Sequence, residues 1–135
     1  MIGLDTNVLL RYAIRDDMRQ TQRADALIDA LTPDDPGLVT HIVLVELWWV
    51  LTRSYHMTPQ RTAAFIDKLL DVKTIHTQDA DLVTEALSAV IDKHADFADA
   101  LIVAIATAQG CAQVKTFDAK AVARAGMTAI DDSDN

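Results

Sequence analysis

The sequence holds a single cysteine, Cys111, so no internal disulfide and no thiolate cluster for zinc can form. A small buried apolar role is the expected use of such a residue. Glycine and proline are scarce, at 4 and 3 residues, and no low-complexity tract is present, which removes collagen-like, linker-dominated and disordered readings. The longest apolar run, Ala100 to Ala108 with Thr107 inside it, falls far short of the roughly 18 residues that a membrane span needs. The first residues reach Asp5 without a basic segment followed by an apolar one, so no secretory signal is read and a cytoplasmic location is expected. Basic residues are outnumbered 12 to 20, giving a net charge of −8, which on average disfavours a polyanionic partner unless positive charge is concentrated locally. Glutamate is nearly missing as well: of the 20 acidic residues only Glu46 and Glu85 are glutamates. Aspartate is the poorer helix former but the better cap and the better ligand for hard metals, so the place of each aspartate matters.

What is present is a chain of 135 residues, half of them hydrophobic, which suits one domain over residues 1–130 followed by a frayed acidic end at 131–135. Met1 to Asn7 reads as a short strand whose polar end caps a helix over Val8 to Ile14. Ala24, Leu27, Ile28 and Leu31 recur at helical spacing, predicting a helix from Met18 to Leu31 closed by Pro33 to Gly37. A strand over Gly37 to Thr40, an apolar helix over Ile42 to Tyr55, and a helix capped by Thr58 with Pro59 in its first position follow. Val72 to His76 suggests a third strand, and Asp79 to Ile91 and Asp96 to Ala108 two more helices. Strands at Gln113 to Thr116 and Met127 to Ile130 flank a short helix from Asp118 to Ala125. Short apolar strands alternating with helices predict an α/β fold with a parallel sheet covered on both faces.

Four carboxylates occupy positions that capping or solvation alone explains incompletely. Asp5 ends the first strand and Asp118 follows the strand at Gln113 to Thr116, and open parallel sheets bind ligands beyond the carboxyl ends of their strands, although each aspartate could equally be a helix cap. Glu46 interrupts nine apolar residues between Ile42 and Leu51, and burying a carboxylate costs several kcal/mol unless it is paired, with a structural arginine as the plain alternative to a metal. Asp99 stands in the first turn of an apolar helix, where the helix dipole favours an anion, whereas Asp96, three residues earlier, reads mainly as the cap of that helix. If these acids converge, two unit charges 4 Å apart repel by ~4 kcal/mol at an effective dielectric of 20, so such a cluster needs a cation. Carboxylates without a cysteine or histidine pattern select a hard ion, Mg²⁺ or Mn²⁺, which can bridge phosphate oxygens and activate water.

Other chemistries lack their parts. Gly3, Gly37, Gly110 and Gly126 form no phosphate-binding loop, and Ser54, Ser88 and Ser133 no nucleophile elbow. His41, His56, His76 and His94 lack the paired spacing of a zinc site. Trp48 and Trp49 suit core and interface rather than base stacking. Arg11, Arg15, Arg19 and Arg23 recur every fourth residue, and Lys115 and Lys120 flank Asp118; a solvated helix face paired with Asp16 and Asp17 is the plain explanation, positioning of a phosphate backbone the functional one.

The ordered set Asp5-Thr6-Asn7-Val8-Leu9-Leu10-Arg11-Tyr12, Glu46-Leu47, Asp96-Phe97-Ala98-Asp99-Ala100-Leu101-Ile102 and Thr116-Phe117-Asp118 resembles the PIN-domain ribonucleases, specifically the VapC-type toxins of toxin–antitoxin pairs. The resemblance implies a three-layer α/β/α sandwich with a mainly parallel sheet of about five strands. It implies that Asp5, Glu46, Asp99 and Asp118 form an acidic site for Mg²⁺ or Mn²⁺, joined in some relatives by Asp96. Thr6, Asn7 and Thr116 would support that site by hydrogen bonding, Thr40 would match a hydroxyl position before the acidic helix, and Arg11, Arg15 and Lys115 are candidates for the RNA backbone. The implied activity is metal-dependent endonucleolytic cleavage of RNA, with a small antitoxin as partner and a homodimer as the expected assembly. Two other readings stay open on the residues alone. One is a Mg²⁺-binding phosphoacceptor module of receiver type, against which Thr6-Asn7 stands where an acidic partner of Asp5 would be needed, and the other is a noncatalytic scaffold that binds a partner through Trp48 and Trp49.

Overall fold

The computed structural model describes residues 1–134 and divides into two compact units, 1–78 and 79–135, the last residue of which lies outside the described part. In the first unit, β1 (Ile2–Gly3), β2 (Gly37–Val39) and β3 (Ile75–Thr77) form a parallel sheet in that order, with Ile2 opposite Gly37 and Gly37 opposite Ile75. Pairing extends slightly past the strands, since Leu4 N donates to Leu38 O at 2.9 Å. Gly37 is where close approach excludes a side chain: a Cβ there would meet Leu4 Cδ1 at 2.8 Å.

Helices α1 (Thr6–Ala13) and α2 (Met18–Asp29) connect β1 to β2, while α3 (His41–Trp49), a π-helical turn (Val50–Ser54) and α4 (Pro59–Leu70) connect β2 to β3. Each begins at the cap its sequence supplies: Asp5, Asp17, Thr40 and Thr58 accept backbone N–H bonds at the four N-termini. The apolar segment expected to run as one helix to Tyr55 instead changes winding at Val50, where Tyr55 N reaches back to Val50 O. Leu9, Val39, Leu44, Leu47, Leu51 and Ile66 are fully buried in this unit.

The second unit contains α5 (Ala80–Lys93), α6 (Phe97–Ala108), β4 (Lys115–Thr116), α7 (Ala119–Ala125) and β5 (Thr128–Ala129). The two strands pair in parallel, Lys115 opposite Thr128, and α7 crosses between them. Gly126, at φ +77°, takes the left-handed conformation that closes α7 into β5. Phe97, Val83, Val90 and Leu101 are buried, with small alanines at 86, 100, 104, 121 and 125 filling the rest of the core.

The fold is α/β with all strand pairs parallel, as the alternation predicts, and its five strands are shared as a set of three and a set of two. The strands are shorter than the apolar runs suggest. Ile2 and Lys115 are exposed, so coverage on both faces does not extend to every strand residue. The third strand lies at Ile75–Thr77, later than Val72 to His76, because Asp71, Val72 and Ile75 complete hydrogen-bonded turns after α4. Cys111 is exposed, not buried, since it follows the turn at Gly110 that ends α6. Where a frayed end is expected, Asp132–Asp134 form an exposed 3-10 turn and Asp134 pairs with Lys115 at 2.8 Å; Asn135 lies outside the described residues. No helix among the described residues is long and apolar enough to cross a membrane.

Candidate functional site

In the first unit the functional candidates gather where β1 hands over to α1. Asp5 leaves β1 in extended conformation and its Oδ1 accepts the Thr6 N–H at 2.8 Å, so it caps α1 and remains exposed. Thr6, buried at the helix start, donates its hydroxyl to Glu46 Oε2 at 3.0 Å. That bond fixes a carboxylate from α3 beside the residue that follows Asp5, joining two segments 40 residues apart.

Glu46 itself is exposed, which corrects the expectation of a carboxylate buried among apolar neighbours. Helix α3 is apolar in composition nearly all round, yet it turns Leu44, Leu47 and Trp48 inward and leaves Ile42, Glu46 and Trp49 outside. Desolvation therefore does not demand an arginine, and no ion pair to Glu46 forms among the described residues. Thr40 caps α3 by accepting from Val43 N at 3.4 Å. Asn7 makes no side-chain hydrogen bond among the described residues; instead it lines a cleft between α1 and α2.

In the second unit Asp96 caps α6, its Oδ2 accepting the Asp99 N–H at 3.1 Å, as its position three residues before Asp99 predicts. Asp118 caps α7, with Oδ1 accepting from Lys120 N at 2.8 Å and Ala121 N at 3.4 Å. Thr116 supports it by accepting the Asp118 N–H on its hydroxyl at 3.0 Å. Asp99, partly buried in the first turn of α6, has its carboxyl held above the ordinary range, first by burial and then by the negative charges of Asp96 and Asp118. Three acids of one unit thus share an electrostatic neighbourhood. Among the described residues no three histidines, cysteines or acids stand together as a formed metal-binding group.

Arg11, Arg15 and Lys115, the cations the resemblance offers to the RNA backbone, are engaged with acids. Arg11 donates to Asp16 Oδ1 at 2.6 Å and to Gln20 Oε1 at 2.7 Å, Arg15 forms a two-pronged pair with Asp25, and Lys115 pairs with Asp134. The four-residue arginine spacing does not produce one helix face, because α1 ends at Ala13 and α2 starts at Met18, leaving Arg15 in the link. Asp17, read from the sequence as an ion-pair partner, caps α2 through Gln20 N. Arg23, the last arginine of that spacing, forms no ion pair among the described residues and lines the cleft between α1 and α2.

The family model of the PIN domain matches residues 2–126. No curated protein matches the sequence. Among solved structures, the chain is similar to Mycobacterium tuberculosis VapC20, described as a toxin that cleaves the sarcin-ricin loop, with 21% identity over 95% of this chain and 97% of that one and a TM-score of 0.46.

Proposed function

Because the chain belongs to the PIN domain family, we propose that it is a divalent-metal-dependent endoribonuclease, serving as the toxin of a toxin–antitoxin pair. The observation that carries the proposal is the handover from β1 to α1, where Asp5 ends a parallel strand and the next residue, Thr6, holds Glu46 by its hydroxyl. The proposed site comprises Asp5, Glu46, Asp99 and Asp118, with Asp96 as an auxiliary acid. Its donors are carboxylate oxygens alone, which fits Mg²⁺ or Mn²⁺ and disfavours zinc. The raised carboxyl of Asp99, partly buried and then crowded by Asp96 and Asp118, supports that fit, since a nearby cation offsets the cost of its charge.

The bound ion would supply charge neutralisation at the phosphodiester and a more acidic water. The remaining tasks fall to the side chains. Glu46, oriented by Thr6, accepts the proton of the attacking water, a role open to an exposed carboxylate within reach of solvent. Asp118 is held still by two backbone N–H groups and by Thr116, which lowers the cost of presenting it in one orientation. Arg11, Arg15 and Lys115 steady the RNA backbone, exchanging Asp16, Asp25 and Asp134 for phosphate; such exposed pairs are weak enough for a polyanion to compete. The apolar side chains left outside on α3, Ile42 at 71% and Trp49 at 52% exposure, suit a protein partner, either the antitoxin or a second copy of the chain.

The test is cleavage of a mixed RNA substrate by purified protein with Mg²⁺ or Mn²⁺, beside EDTA and Asp5→Asn controls. Cleavage lost in both controls is the expected result. Full activity in either control would overturn the proposal, and phosphate transfer to an aspartate from a small phosphodonor would favour the receiver-type alternative.

A further inference from the structure

We propose that the cleft between α1 and α2 binds one nucleotide of an RNA chain, with Arg23 as its phosphate anchor. This rests on the ribonuclease reading for its biological substrate, but the site itself is argued from its own walls. The cleft has a volume of about 520 Å³, within the roughly 300–1,000 Å³ usual for small-molecule sites. Val8, Ala24 and Leu27 give it an apolar lining, and Asn7, Gln20, Arg11 and Arg23 bring polar groups to the same space.

The polar groups differ in how far they are already committed. Arg11 is tied to Gln20 and Asp16, which fixes its guanidinium against the α2 side of the cleft. Arg23 forms no ion pair among the described residues, in a protein whose acids outnumber its bases. A guanidinium with its fork of donors unspent matches a phosphate, which it can grip through two parallel bonds. Gln20 has spent its carbonyl oxygen on Arg11 and keeps its amide donors, whereas Asn7 keeps both its donor and its acceptor. Carboxamides of this kind read the edges of bases, and apolar carbon together with an arginine plane accepts the face of a base.

An acidic peptide would satisfy Arg23 equally well but would leave the apolar lining and the two carboxamides without a purpose. A nucleotide uses all three. Asn7 follows Asp5 by two residues, so a nucleotide seated here is a near neighbour of a phosphodiester presented to Asp5, and the cleft would select which nucleotide that is.

The experiment is a titration of ¹⁵N-labelled full chain, without metal, by the four nucleoside 5′-monophosphates, inorganic phosphate and a glutamate-rich peptide, observed at the Arg23 guanidinium and the Asn7 and Gln20 carboxamides. At least one nucleotide should bind about tenfold tighter than inorganic phosphate, and Arg23→Ala should weaken it about tenfold. On RNA, Arg23→Ala should raise KM more than it lowers kcat, with Arg23→Lys recovering part of the loss. Phosphate binding as tightly as every nucleotide, or peptide binding with no nucleotide response, would overturn the proposal. Nucleotide binding through Arg23 in a chain that cleaves no RNA would uphold the cleft and defeat the ribonuclease reading. Cleavage with the same KM in Arg23→Ala, and no nucleotide response, would do the reverse.

Discussion

The two units share the use of aspartate as helix cap, at Asp5 in one and at Asp96 and Asp118 in the other, and differ in how they hold a further carboxylate. In residues 1–78 Glu46 has the Thr6 hydroxyl, and Asp16 and Asp25 have arginines. In residues 79–134 Asp99 lies partly buried in the negative field of Asp96 and Asp118, with its carboxyl raised as a result. The first arrangement orients a carboxylate, and the second makes one costly to ionise, by burial first and by repulsion second, a cost that a cation would offset.

The comparison breaks most visibly at Asp5. Asp5→Asn keeps a good helix cap, so the fold should persist, while RNA cleavage should fall more than about 100-fold, beyond the ~10–100-fold that outer partners of metal ligands usually cost. Thr6→Val tests whether orientation matters, since it keeps the shape of a buried residue and removes only the bond to Glu46; a loss of ~10–100-fold in activity is expected, with about 1 kcal/mol of stability. An equally active Thr6→Val variant would mean that Glu46 needs no holding.

Asp99→Asn tests the cost of that ionised carboxyl, set by burial and then by Asp96 and Asp118, and the direction follows from linkage. A carboxyl whose folded pKa is raised costs nothing below its unfolded pKa and its full penalty above its folded one. The metal-free variant should therefore melt higher than wild type at neutral pH, and the gap should close as pH falls below the ordinary carboxylate range. A gap independent of pH would show that the ionised carboxyl is not its source. The smallest effect is expected at Asp25, whose carboxyl is lowered chiefly by its hydrogen bond from Arg15. Its contribution is present above the unfolded pKa and lost as pH falls through the folded one, so Arg15→Ala should change the melting temperature only slightly at pH 7 and not at all in strong acid.

Capping chemistry made much of this molecule legible in advance. Thr58-Pro59 marks the start of α4, and Asp96 marks the start of α6, because a side-chain acceptor before a helix acts within three residues and leaves its signature in sequence. What escaped depends on distance in space. The composition of α3 says that it is apolar, but which of its residues face outward depends on what packs against it, so the exposure of Glu46 could not be read. The helices expected over Val8 to Ile14 and from Met18 are found, but the regular spacing of Arg11, Arg15, Arg19 and Arg23 runs across the link between them and gives no single face. The bond from Thr6 to Glu46 spans 40 residues and leaves no local pattern; the family resemblance alone brought the two together.

The central claim is that Asp5 is a ligand of a divalent ion that the activity needs, and Mn²⁺ binding measured calorimetrically on wild type and Asp5→Asn tests it most directly. The account predicts that Asp5→Asn weakens binding at least about tenfold while the fold persists. An ion bound as tightly without Asp5 as with it would contradict it.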